Sequence, residues 1–167
     1  LLKAEHGFVV RHQSGPRWAD ETRDAYREAG VGLAEPWTGR PFEENTAEVT
    51  EFIEDMAEAY GWADLVICRA GALTVSELAA AGLGSILVPF PYAVDDHQTR
   101  NAGYLVEAGA ALCIQQSALS AETLAELLEA LLGAPERLLA MACSARALAR
   151  PRAVEEIGQA CLEVIRS

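Results

Sequence analysis

Asp64-Leu65-Val66-Ile67-Cys68-Arg69-Ala70-Gly71-Ala72-Leu73-Thr74-Val75-Ser76-Glu77 is the stretch that decides the fold. Its opening is a continuous apolar run, the pattern of a parallel strand covered on both faces, where the in-out alternation of a half-exposed strand is lost. Arg69-Ala70-Gly71 then leads into small and helix-compatible residues, which predicts a helix over 72–81 closed by Gly82 and Gly84. Downstream, Ser85-Ile86-Leu87-Val88 reads as a strand, Pro89-Phe90-Pro91 breaks it, and a helix near 97–108 precedes a strand at 111–114. From Ser120 onward the chain reads as helices punctuated by Pro135 and Pro151. Upstream, Phe8-Val9-Val10 predicts a strand and residues 19–29 a helix stopped by Gly30; residues 32–45, with Pro36, Gly39 and Pro41, predict an irregular excursion. Val49-Thr50-Glu51-Phe52 alternates like a strand, and Ile53 to Tyr60 reads as a short helix.

This alternation of strand and helix predicts an α/β fold, a Rossmann-like parallel sheet with helices on both faces. Ligands in such sheets bind beyond the carboxyl ends of the strands, which directs attention to the loops after Val10, Phe52, Cys68 and Val88.

Composition narrows the function. The 167 residues suit one domain, and 51% hydrophobic against 23% charged residues describe an ordinary globular chain. With 25 acidic against 13 basic residues the net charge is -12, which argues against nucleic acid or an anionic lipid surface as a nonspecific partner. A phosphorylated small molecule remains open, because local backbone donors hold phosphate inside acidic proteins. Cys68, Cys113, Cys143 and Cys161 are too scattered for a zinc or redox motif and are expected to be buried, reduced thiols. Without a membrane-length apolar run or a signal segment, the expected address is cytoplasmic. Leu1 to Gly7 lacks a starting Met and reads like the tail of a helix, as if cut from a longer protein.

The segment after Cys68 carries the strongest chemical signal. The first N–H groups of a helix lack internal partners, and the macrodipole adds about half a positive charge, so a diphosphate can be held there without lysine. The residues in position are Gly71, Ala72, Leu73, Thr74, Val75, Ser76 and Glu77, with Arg69 as a nearby charge. Thr74-x-x-Glu77 also spells a capping box, in which Glu77 would close the helix on itself. Alternatively its carboxylate accepts both hydroxyls of a ribose, as an acidic residue does in dinucleotide folds. The two roles compete for the same oxygens. In the loop after Val88, His97, Gln98 and Asn101 are placed to reach sugar hydroxyls. Asp95-Asp96 invites a metal, but no second acidic cluster stands at a partner loop, and the pair suits a helix N-terminus equally; no metal site is assigned.

Phe52-Ile53-Glu54-Asp55-Met56, the run from Ala63 to Glu77, Val88-Pro89-Phe90 with Asp96-His97-Gln98 and Asn101-Ala102, and His12-Gln13-Ser14-Gly15 together resemble the C-terminal domain of the MurG family, in order along nearly the whole chain. The resemblance implies the C-terminal half of a GT-B glycosyltransferase, with residues 1–167 as a UDP-sugar-binding domain truncated before its first strand. It implies an inverting, metal-independent enzyme without cofactor, which moves N-acetylglucosamine from UDP-N-acetylglucosamine to lipid-linked muramyl-pentapeptide in peptidoglycan synthesis. It places the full-length protein peripherally on the cytoplasmic face of the inner membrane.

Carried over position by position, Ile53 meets the uracil through its backbone with Met56 nearby. Ala72, Leu73 and Thr74 face the diphosphate, Glu77 takes the ribose hydroxyls, and His97 with Gln98 touches the sugar. Three departures accompany the resemblance: the family's glycine-rich loop and first strand would precede Leu1; the acceptor domain with its general base is not in this chain; and residues 33–45 form a longer connection, with Pro16-Arg17 where a lysine is usual. No catalytic residue is therefore assigned to this chain, and in isolation it is expected to be inactive. The alternative is a donor-binding subunit of a two-chain glycosyltransferase.

Overall fold

A computed structural model describes residues 7–92 and 96–166. The reading of Leu1 to His6 as a helix tail, and Asp95 of the acidic pair, lie outside the described residues. The chain forms two compact units: one runs up to Ala59 and takes in Ala121–Leu132, and the other comprises Tyr60–Ser120 and the chain from Gly133 onward.

In the first unit, β1 (Val9–Gln13), α1 (Ala19–Glu28), β2 (Gly32–Leu33) and β3 (Thr46–Thr50) follow one another. The strands are parallel in the order β1-β3-β2, with Val9 opposite Thr46 and Gln13 opposite Thr50. Helix α1 ends where expected: the Val31 amide reaches back to the Tyr26 carbonyl across Gly30, whose φ of 74° is a left-handed conformation that only glycine adopts without strain.

The predicted strand at 49–52 is displaced. The real one lies at 46–50, in the middle of its ladder, and Ala47, Glu48 and Val49 are buried in succession, while Phe52 is left exposed. Period-two reasoning fails at a strand covered on both faces. Glu48 is tolerated there because Arg11 Nε donates to it at 2.7 Å and the Trp37 amide at 2.7 Å. Arg11 also donates to Glu58 at 2.7 Å and lies over the Trp37 ring. Burial disfavours the Arg11 charge, but the bonds and charges of Glu58 and Glu48 outweigh it, and its pKa is raised. The excursion at 32–45 thus begins with an edge strand and is tied down by Trp37, whose ring also meets Phe42.

Helix α2 (Met56–Trp62) starts three residues later than its periodicity suggested, because Asp55 accepts the Glu58 amide at 2.8 Å and so caps it.

The second unit alternates β4 (Val66–Cys68), α3 (Ala72–Ala81), β5 (Ser85–Leu87), α4 (His97–Glu107) and β6 (Ala111–Cys113). Its strands are parallel in the order β4-β5-β6, with Val66 opposite Ser85 and Ser85 opposite Ala111. After a 3-10 turn at Gln116–Ala118 come α5 (Ala121–Leu132), which belongs to the first unit, then α6 (Pro135–Ala147) and α7 (Ala153–Arg166).

Val75, Leu78, Leu83, Leu87, Leu105 and Ala145 share one core, and each fully buried leucine contributes about 1.5–3 kcal/mol. The two glycines after α3 have different reasons. Gly82 takes a left-handed φ of 73° at the helix end, whereas Gly84 lets α6 approach, since a Cβ there would sit 3.1 Å from Met141 Cβ.

The architecture is therefore parallel α/β with helices on both faces, as the alternation predicted. The thiols differ from expectation: all four are free, but only Cys68 is half-buried, the other three being exposed. Among the described residues no helix is long and apolar enough to cross a membrane.

Candidate functional site

Strand β4 delivers the chain to the start of α3 through a short, tightly held turn. The Cys68 carbonyl accepts the Val88 amide at 2.8 Å, and Gly71 follows in extended backbone as the residue preceding the helix. The first rung of α3 runs from the Val75 amide to the Gly71 carbonyl at 2.9 Å, so the amides of Ala72, Leu73 and Thr74 stand ahead of the ladder. Ala72 and Leu73 are exposed, and no side chain caps the helix. This is an open set of aligned donors at the positive end of a ten-residue helix.

The capping box does not form. It needs Thr74 in extended backbone just outside the helix, but α3 has already begun at Ala72, which puts Thr74 inside the first turn. The Glu77 carboxylate instead accepts the Tyr60 hydroxyl at 3.0 Å. Val75 is buried in the core with its amide in the ladder, and the Ser76 hydroxyl returns to the Ala72 carbonyl at 3.0 Å. Within the predicted run, Gly71 to Thr74 and Glu77 therefore offer a ligand most, while Val75 and Ser76 serve the helix.

Arg69, the nearby charge of the sequence reading, is tied to three loop residues. Its guanidinium donates to the carbonyls of Val88 and Pro89 at 3.2 and 3.1 Å and to Gln116 Oε1 at 2.8 Å, and it lies over the Phe90 ring. It thus joins the loops that follow β4, β5 and β6 at their carboxyl ends.

Helix α4 completes the tie. Asn101 Nδ2 donates to the Ala70 carbonyl at 3.0 Å, and Gln98 Oε1 accepts the Phe90 amide at 2.9 Å. Asp96, at a left-handed φ of 51° before α4, takes the Thr99 hydroxyl at 2.6 Å. His97 is the exposed first residue of α4. Two of the three residues expected to face a sugar thus also fix the loops around it, leaving the Gln98 amide nitrogen and the Asn101 carbonyl oxygen as their remaining polar atoms.

In the first unit, the Ile53 amide donates to Gln13 Oε1 at 2.9 Å, so the backbone atom of Ile53 that remains for a base is its carbonyl oxygen. Met56 begins α2 and is exposed. In the second unit, Tyr60 and Cys68 have displaced titrations with clear causes. Burial, then the bond to Glu77 and its charge, holds the Tyr60 phenol well above its ordinary range, and burial pushes the Cys68 thiol up to about 11. Sequence reasoning missed Gln13 as the partner of Ile53 and Tyr60 as the partner of Glu77. Both contacts join residues far apart in the chain, and no local pattern announces them.

Comparison with known proteins identifies the family and the fold. Residues 2–157 match the family described as the glycosyltransferase family 28 C-terminal domain. A protein of Marinobacter nauticus named UDP-N-acetylglucosamine--N-acetylmuramyl-(pentapeptide) pyrophosphoryl-undecaprenol N-acetylglucosamine transferase is 56% identical over 154 residues, 92% of this chain and 39% of that protein. Its namesake from Azotobacter vinelandii is 52% identical over 99% of this chain and 43% of its own length. The chain thus spans about two-fifths of the curated relatives it matches. Among solved structures, Acinetobacter baumannii MurG superposes with a TM-score of 0.79 at 41% identity, covering 93% of this chain and 43% of that one. The spinosyn forosaminyltransferase SpnP shares the fold at a TM-score of 0.61 and 14% identity, covering 99% of this chain and 45% of its own.

Proposed function

The chain belongs to the glycosyltransferase family 28 C-terminal domain family, and from that membership we propose that it is the donor-binding part of an N-acetylglucosaminyltransferase that holds UDP-N-acetylglucosamine. The observation that carries this reading is the start of α3, where the amides of Ala72, Leu73 and Thr74 precede the helical ladder and Ala72 and Leu73 are exposed. Such donors suit a diphosphate, and they are fixed before the ligand arrives.

The reaction is a displacement at the anomeric carbon. An acceptor hydroxyl of the lipid-linked muramyl-pentapeptide forms the new C–O bond while the bond to the β-phosphate breaks, and UDP leaves with the electron pair. The acceptor proton passes to a base outside this chain. Negative charge grows on the diphosphate as it leaves, and preorganised donors aimed at such charge contribute roughly 3–4 kcal/mol each in favourable sites. This gives a helix start the task that a divalent ion performs in other transferases.

Glu77 takes the ribose hydroxyls, Ile53 offers its carbonyl to uracil with Met56 beside it, and His97, Gln98 and Asn101 meet the sugar. Because the acceptor is lipid-linked, transfer takes place at a membrane surface, with the acceptor held by protein outside residues 1–167. The two-chain alternative is not favoured, since the relatives carry the matching segment inside a single longer chain.

Calorimetric titration of the chain with UDP and UDP-N-acetylglucosamine tests the proposal, with Glu77→Ala as the paired variant. Saturable binding of both ligands, weakened in the variant while its unfolding transition is unchanged, is expected. Failure of the unaltered chain to bind UDP sinks the reading.

A further inference from the structure

Resting on the assignment of Glu77 to the ribose, we propose that Tyr60 is a positioning residue for ribose recognition, its hydroxyl holding the Glu77 carboxylate in the orientation that accepts the two ribose hydroxyls. The bond is 3.0 Å long and joins the second half of α2 to the second turn of α3, 17 residues apart. Nothing in the helix itself requires it, because α3 begins at Ala72, after Gly71, and draws no cap from Glu77.

The two partners are unequal, and the inequality gives the contact its direction. Tyr60 packs against the core of the second unit, so its ring is held from behind. Glu77 is exposed on the helix surface, where an unrestrained glutamate samples several rotamers and must surrender that freedom when a ligand arrives. A fixed phenol removes part of that cost beforehand, which is how preorganisation strengthens binding without adding a contact to the ligand. The acceptor capacity suffices: an ionised carboxylate has about four lone-pair sites, Tyr60 occupies one on Oε2, and both oxygens can still meet a vicinal diol. The phenol stays protonated through the working range, because burial and the neighbouring carboxylate both raise its pKa. It is therefore a constant donor.

The test separates orientation from general support by comparing UDP with 2′,3′-dideoxy-UDP, which lacks both ribose hydroxyls. Each ligand is titrated into the chain, into Glu77→Ala and into Tyr60→Phe, which keeps the ring in the core and removes only the hydroxyl. The unaltered chain is expected to prefer UDP by about ten- to a hundredfold, and Glu77→Ala to erase that preference. Tyr60→Phe should reduce the preference by about three- to tenfold while leaving the affinity for dideoxy-UDP unchanged, which also certifies that the variant is folded. An undiminished preference in Tyr60→Phe, beside an erased one in Glu77→Ala, overturns the role of Tyr60 and leaves the ribose assignment standing. Equal weakening of both ligands in Tyr60→Phe makes the phenol mere scaffolding and overturns it too. If the unaltered chain does not distinguish the ligands, the ribose assignment fails and the inference falls with it.

Discussion

Gly71→Ala separates what the fold needs at the start of α3 from what a diphosphate needs. The backbone makes no demand for glycine there: φ is -65° and ψ 149°, values open to any residue. Sequence neighbours aside, an added Cβ would meet only Thr74 Oγ1, at 3.6 Å, which is ordinary contact. Two small effects on folding oppose each other. Alanine is a poorer residue than glycine in the capping position, by up to about 1 kcal/mol, while the loss of glycine's freedom in the unfolded chain returns about 0.4–1 kcal/mol. Net stability should therefore change by less than about 1 kcal/mol.

Binding should change far more. A phosphate drawn onto the amides of Ala72 to Thr74 meets the new methyl beside Thr74 and loses at least one hydrogen bond to a charged group, about 1.5–3 kcal/mol. That corresponds to about a 10- to 150-fold weaker dissociation constant for UDP. Urea unfolding and calorimetric titration of the same preparation give both quantities. An unchanged UDP affinity in a stably folded variant would refute the placement of the diphosphate. A stability loss above about 2 kcal/mol would refute the argument that the fold is indifferent.

Other expectations follow from contacts described above. Arg69→Met removes the bonds to Val88, Pro89 and Gln116; because Arg69 is exposed, a loss of only about 1–2 kcal/mol is expected, with faster amide exchange at Phe90, and unchanged exchange there would show the tie to be idle. Arg11→Met strands Glu48, whose side chain is 7% exposed, and should cost about 3–5 kcal/mol in urea unfolding, much of it recovered by adding Glu48→Leu; equal stability of single and double variants would contradict this. Burial holds the His12 pKa below its ordinary 6.5, so the folded state prefers the neutral ring. That preference stabilises fully above the unfolded value and is lost as pH falls through the folded one, so the urea midpoint should drop as pH falls below the ordinary histidine value, and less so in His12→Gln.

Much of the fold was legible because the second unit follows local rules closely. Helix α3 spans residues 72–81 as its composition and closing glycine predicted, and α4 and β6 fall within a residue or so of expectation. The first unit was less legible, since its middle strand is covered on both sides by partners distant in sequence, and a buried Glu48 looks polar until Arg11 and the Trp37 amide are brought to it. The same limit applies to function. The exposed helix start could be read from a strand, a glycine and small residues in succession. The fates of Arg69, Gln98, Asn101 and Glu77 could not, because each is decided by a carbonyl, amide or hydroxyl on another element.

The order of strands in the first unit has a consequence for biosynthesis. The ribosome releases β1 and β2 before the strand that lies between them, so both wait with unsatisfied backbone edges until Thr46–Thr50 emerges. Ala121–Leu132 joins that unit later still, after the whole β4-to-β6 stretch has been made. A nascent chain stalled before Thr46 would be the species most prone to stick to its neighbours, and early capture by a chaperone would matter most at that point.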